Sequence, residues 1–143
     1  MKVMVLVKAT PETEAGVMPT QEEIAAMGAF NEELVKAGIM LAGEGLKPTS
    51  HAARVRFAAE GRSVIDGPFA ETRELVAGFW LWQVRSLDEA VEWLKRAPFN
   101  PNGGSAVEVE IRPFFEAEDF GAAFTPELQA QEQRLREQIE RNN

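Results

Sequence analysis

Apolar positions in this chain switch between a two-residue period and a period near 3.6, and the switches predict its elements. Lys2–Lys8, "KVMVLVK", is apolar on both faces between its terminal lysines, and Leu75–Val84, "LVAGFWLWQV", is similar around Gly78. Such runs predict strands covered on both sides. Arg54–Phe57 and Val107–Arg112 alternate instead; the second puts Val107, Val109 and Ile111 on one face and Glu108, Glu110 and Arg112 on the other. That alternation is the pattern of edge strands. Thr20 and Glu23 form a capping box ahead of a helix with the stripe Ile24, Met27, Phe30 and Leu34, and Gly38 stops it. Ser86 and Glu89 repeat the signal, Leu87, Ala90, Val91 and Leu94 supply the stripe, and Pro98 ends the helix. Ile39–Lys47 reads as a further strand in which Gly43 and Gly45 permit a bend or bulge.

The order is strand, helix, a strand region with a hairpin, strand, helix, strand. It predicts an α+β fold of the ferredoxin-like split βαβ type, with an antiparallel sheet and helices on one face. The first and third strands are then central, and these are the two with apolar side chains on both faces. Two helices cover one face only, so the other face calls for a partner, and a homodimer is expected. Beyond Pro113 an acidic, aromatic loop, "FFEAEDFG", leads to a helix opened by Thr125 and Pro126 with Leu128, Leu135 and Ile139 as sparse anchors. The expected division is a ferredoxin-like domain over residues 1–120 and a helical extension over 121–143.

Composition narrows the partners. The 143 residues are 45% hydrophobic and 27% charged, in keeping with one domain and an ordinary core. With 15 Lys and Arg against 23 Asp and Glu, the net charge of -8 argues against nucleic acid and against an anionic membrane as partners. The absence of cysteine excludes disulfides, thiolate nucleophiles and cysteine-held metal. The apolar stretch after Lys2 is shorter than a signal-peptide core and no run approaches transmembrane length, so a cytoplasmic location is expected.

Chemical motifs are few. "GEGLKP" has Pro48 where a dinucleotide fingerprint has its third glycine, and no phosphate-binding Gly-x-x-x-x-Gly-Lys loop is present. The single histidine, His51, sits in the loop "KPTSHAAR" with only Ser50 beside it, which makes no triad. Metal binding would require His51 to meet carboxylates such as Glu44 or Asp66; the spacing does not support it, and neither metal nor cofactor is expected. Asp66-Gly67-Pro68 reads first as a turn, because Asp bonds downstream backbone, Gly accepts unusual dihedrals and Pro fixes its own. Glu71, Arg73 and Glu74 follow directly before a very apolar strand. A carboxylate on a rigid turn beside an apolar cavity has the environment of a general acid or base, so Asp66 is the catalytic candidate, with Arg73 orienting an anionic group.

"DGPFAETRE", preceded by "AGEGLKP" and "RVRF" and followed by "AGFWLWQV" and a capped helix, resembles the DGPF branch of the YCII-related proteins. The likeness extends to "EIRPFFEAEDF" and covers residues 1 to about 120. It implies a ferredoxin-like fold pairing into a dimeric α+β barrel. Some relatives are linked to breakdown of chlorinated aromatics, and DGPF members often neighbour or are fused to sigma factors of the extracytoplasmic-function class. The histidine proposed as catalytic on the first helix of other YCII proteins has no counterpart in "TQEEIAAMGAFNEELVKAG". The motif carries over onto Asp66, Gly67, Pro68, Phe69, Glu71 and Thr72, with Arg73 where lysine is expected. The resulting expectation is a protein that binds a small aromatic or anionic molecule in a cleft near the DGPF turn, using Glu44, His51, Asp66, Phe69, Glu71 and Arg73. Two alternatives stand beside it: a lyase or dehalogenase with Asp66 as acid or base, and an interaction protein serving a sigma-factor regulator.

Overall fold

The computed structural model describes residues 1–70, 74–100 and 104–143. Two compact units divide between Pro113 and Phe114, ahead of the expected boundary at 120.

In the first unit, β1 (Lys2–Lys8), β2 (Met40–Gly45), β5 (Val76–Gln83) and β6 (Val109–Pro113) form a four-stranded antiparallel sheet in the order β2-β5-β1-β6. With the short α1 (Pro11–Glu14) and α2 (Gln21–Lys36) between β1 and β2, and α3 (Leu87–Lys95) between β5 and β6, this is the ferredoxin-like split βαβ. The two strands with apolar side chains on both faces, β1 and β5, are the central ones. The edges are β6 and β2. Arg54–Phe57 corrects one expectation: it belongs to β3 (Ala53–Ala58), which pairs only with β4 (Gly61–Asp66) in a separate two-stranded sheet. The β5 edge goes instead to β2, whose glycines allow a close fit. A Cβ on Gly43 would stand 2.7 Å from Trp80 Cδ1, so only glycine leaves room for that indole.

The helix signals act as read. Thr20 Oγ1 accepts from Glu23 N–H at 3.2 Å while the Glu23 carboxylate accepts from Thr20 N–H. At the other end Gly38 adopts φ 73° and its N–H reaches Val35 O, while Ile39 N–H reaches Leu34 O at 2.9 Å. These two bonds are a Schellman motif, and they aim Ile39 into the same core as Leu34. Ser86 Oγ caps α3 by accepting from Glu89 N–H. The Glu89 carboxylate closes no box there and pairs with Arg85 instead.

Alternation sorts the sheet. Val3 and Val5 lie opposite Trp82 and Trp80, and all four are buried with Phe30, Leu34, Ile39, Val84 and Ala90 under the helices. Burial of each valine or leucine contributes roughly 1.5–3 kcal/mol. Ile24, one turn before Met27 on α2, remains exposed. Met4, Leu6, Phe79 and Leu81 occupy the opposite sheet face and are only half-buried.

The second unit opens with three phenylalanines in ring contact, Phe115 to Phe120 tilted at 5.1 Å and Phe120 to Phe124 edge-on at 5.7 Å between ring centres. Thr125 then caps α4 (Pro126–Asn142), on which Leu128, Leu135 and Ile139 are exposed. No helix among the described residues is long and apolar enough to cross a membrane.

Candidate functional site

A cleft of about 310 Å³ opens where α2 meets the β2-β5-β1 region of the sheet. Its walls are Val7, Met27, Asn31, Trp80 and Phe99, and its floor is the cross-strand pair Gly45 and Gly78. The floor explains the cavity: a Cβ on Gly45 would meet nothing within 4 Å, so the space stands where a side chain is missing. Gly78 is tighter, 3.1 Å from Glu44 O to a built Cβ.

Trp80 is held edge-on between Phe30 at 6.0 Å and Phe99 at 6.2 Å, and its indole N–H donates to Asn31 Oδ1 at 3.0 Å. An indole N–H is only a donor, so this bond fixes which end of the Asn31 amide is oxygen. The amide N–H groups of Asn31 are left for another acceptor. The site therefore offers aromatic and thioether surface together with a neutral hydrogen-bond donor.

The DGPF segment is built separately, at the base of the β3–β4 hairpin. Asp66 ends β4 opposite Ala53, Gly67 N–H bonds Ala52 O at 2.9 Å, and the Gly67–Pro68 peptide is cis. Phe69 N–H donates to Thr49 Oγ1 at 3.0 Å, and the Thr49 hydroxyl in turn donates a hydrogen bond to Glu14 Oε2 at 2.6 Å. Glu14 Oε1 also accepts from Thr49 N–H at 3.1 Å. The Arg54 guanidinium lies 3.7 Å above the Phe69 ring. Thus the turn is anchored by threonine, glutamate and arginine.

The structure brings the proposed residues together only in part. Glu44 borders the cleft, but it pairs with Phe79, so alternation sends its side chain to the sheet face opposite Trp80. His51 is exposed in the short 3₁₀ turn Thr49–His51. Asp66 is exposed, and it makes no side-chain hydrogen bond or ion pair with a described residue. Phe69 lies under Arg54, outside the lining of the cleft. Glu71 and Arg73 lie outside the described residues. Among the described residues no group of three metal-ligating side chains converges.

Asn31 and Phe99 were not singled out by the sequence, and Gly45 and Gly78 stood out only as irregularities within strands, not as the floor of a site. One signal was available for Asn31: at four residues after Met27 and three before Leu34 it is a polar residue on the buried stripe of α2.

The chain is similar to three kinds of known protein or domain. A solved structure of 5-chloro-2-hydroxyhydroquinone dehydrochlorinase from Burkholderia phenoliruptrix AC1100, in complex with 2,5-dihydroxybenzoquinone, is similar to 81% of this chain and 96% of its own, at 21% identity and a TM-score of 0.43. An uncharacterised protein of Rhizobium meliloti (strain 1021) is 40% identical over 88 residues, which is 61% of this chain and 68% of that protein. The model of the YCII-related domain matches residues 1–115. A match over that much of the sequence settles descent: the chain belongs to the YCII-related domain family.

Proposed function

We propose that this YCII-related protein binds a small, flat aromatic molecule carrying a phenolic or carboxylate oxygen, and that the molecule enters the cleft above Gly45 and Gly78. One observation carries the reading: an aromatic and aliphatic cavity of about 310 Å³ has a single oriented amide, Asn31, at its wall. An aromatic ring fits against Trp80 and Phe99, and its oxygen accepts from the Asn31 amide. Strand alternation directs the Glu44 side chain to the other sheet face, and no other carboxylate of the described residues lines the cleft. Binding is favoured over acid–base catalysis because Asp66, the catalytic candidate, stands outside the cleft lining and exposed. The homodimer belongs to the same proposal, with the half-buried face of Met4, Leu6, Phe79 and Leu81 as its contact.

Titration with a panel of phenols and hydroxybenzoates, read by tryptophan fluorescence, tests the cleft, since Trp80 lies on its wall. Gly45→Val fills the floor without a steric conflict, and Asn31→Ala removes the donor. The expected result is saturable quenching that both variants abolish, with Gly45→Val unfolding near the wild type and Asn31→Ala losing about 1–3 kcal/mol because the buried Trp80 N–H loses its acceptor. Undiminished binding in Gly45→Val would overturn the proposal.

A further inference from the structure

The β3–β4 hairpin exposes more apolar surface than a two-stranded sheet can keep in water. Val55, Phe57 and Val64 share one face and are 53%, 68% and 68% exposed. A two-stranded hairpin is marginally stable by itself, and an unpaired strand edge is a template for another strand.

Hydrogen-bond parity identifies what the β4 edge presents. Gly67 N–H bonds Ala52 O, so in register Ile65, Ser63 and Gly61 also turn their backbone groups toward β3. Arg62, Val64 and Asp66 therefore turn theirs to the open edge, and their side chains lie on the same face as Val55 and Phe57.

We propose that β4 pairs antiparallel with β4 of a second copy of this chain, with Val64 on the two-fold axis. Only outward-facing residues are then hydrogen-bonded across the axis: Val64 with Val64, and Arg62 of each copy with Asp66 of the other. The sequence is self-complementary in this register, because each basic end of the strand meets an acidic one. Asp66 has no competing partner among the described residues, and the Arg62 guanidinium lies 4.9 Å from the Phe57 ring, on the face where the pair forms. The apolar residues Val55, Phe57 and Val64 of the two copies then join into one patch. The β3 edge is unsuited to the same operation: with Val55 on the axis, Arg54 of each copy faces Arg56 of the other. Pairing of β3 with β4 of the next copy would not close and would give fibres.

The chain has no cysteine, so Val64→Cys in the full-length protein supplies one thiol at the proposed axis. The two Cα atoms across a hydrogen-bonded antiparallel pair are about 5.5 Å apart, within disulfide reach. Mild oxidation at micromolar protein is expected to give a covalent dimer for Val64→Cys and none for Val55→Cys. By sedimentation in a Phe79→Asp background, which removes the sheet-face contact, Arg62→Glu and Asp66→Arg are each expected to weaken self-association about tenfold or more, and the double variant to restore it by reversing the ion pair. Thermal unfolding of each variant confirms that these exposed substitutions leave the fold intact. Phe79→Asp, on the sheet face, is expected to leave the Val64→Cys cross-link in place. A cross-link from Val55→Cys instead, none from Val64→Cys, its loss in Phe79→Asp, or a double variant no better than the single ones would each overturn the proposal.

Discussion

Gly67 lies against the backbone of Thr49 so closely that a Cβ built on it would stand 1.7 Å from Thr49 O and 2.7 Å from its carbonyl carbon. Both atoms belong to backbone and cannot rotate away, so the glycine of the DGPF motif is demanded by approach rather than by a left-handed dihedral. Gly67→Ala is expected to destabilise the protein by about 3 kcal/mol or more and to displace the turn. Denaturant unfolding measures the loss.

Thr49 joins the turn to α1 (Pro11–Glu14), accepting from Phe69 N–H and donating to Glu14. Thr49→Val keeps the volume and deletes both bonds, leaving the Phe69 N–H without its acceptor. A loss of about 1–3 kcal/mol is expected. Thr49→Ser, which retains the hydroxyl, should recover most of it in the same urea titration.

Gly28 sits inside α2, exposed, and a Cβ there would touch nothing within 4 Å. Gly28→Ala should stabilise the protein by about 0.5–1 kcal/mol, since alanine loses less backbone entropy in a helix. A lower melting temperature in calorimetry would contradict this account.

Among the described residues, Glu110 and Glu12 have carboxyls held below the usual 4.5. At Glu110 partial burial works to raise the value, but the hydrogen bond and charge of Arg112 and the ammonium of Lys8 outweigh it. At Glu12 its own backbone N–H, then the hydroxyls of Ser105 and Thr10, favour the ionised form. Each group binds its proton more weakly folded than unfolded, so its contribution is complete above about pH 4.5 and lost as pH falls through the depressed folded value. Melting temperature should fall below about pH 4.5. Glu110→Gln should melt lower than wild type at neutral pH and approach it in acid, with added salt narrowing the neutral gap.

Sequence patterns disclosed the sheet better than the cleft. Runs apolar on both faces identified β1 and β5 as central, and caps at Thr20 and Ser86 placed the helices, because period and capping are local properties. The β3 strand was misplaced because alternation in Arg54–Phe57 reports an exposed edge without saying which sheet owns it. The cleft depends on a missing side chain at Gly45 and on Asn31 meeting Trp80 across 49 positions of chain, and neither relation has a local signature. Asp66 drew attention through its motif, whereas Gly67 and Thr49 bear the packing of that turn.

The bond between Gly67 and Ala52 also has a kinetic consequence. β2 and β5 are neighbours in the sheet, yet the chain from 46 to 75 intervenes between them. Once the hairpin has zipped from its Ala59–Glu60 tip to that bond, residues 53–66 no longer count toward the length of the loop. The loop to be closed is roughly halved, which lowers its entropic cost by about 0.6 kcal/mol. Hairpins form in roughly microseconds, so whenever this marginal hairpin is populated before β5 meets β2 it shortens the search between them.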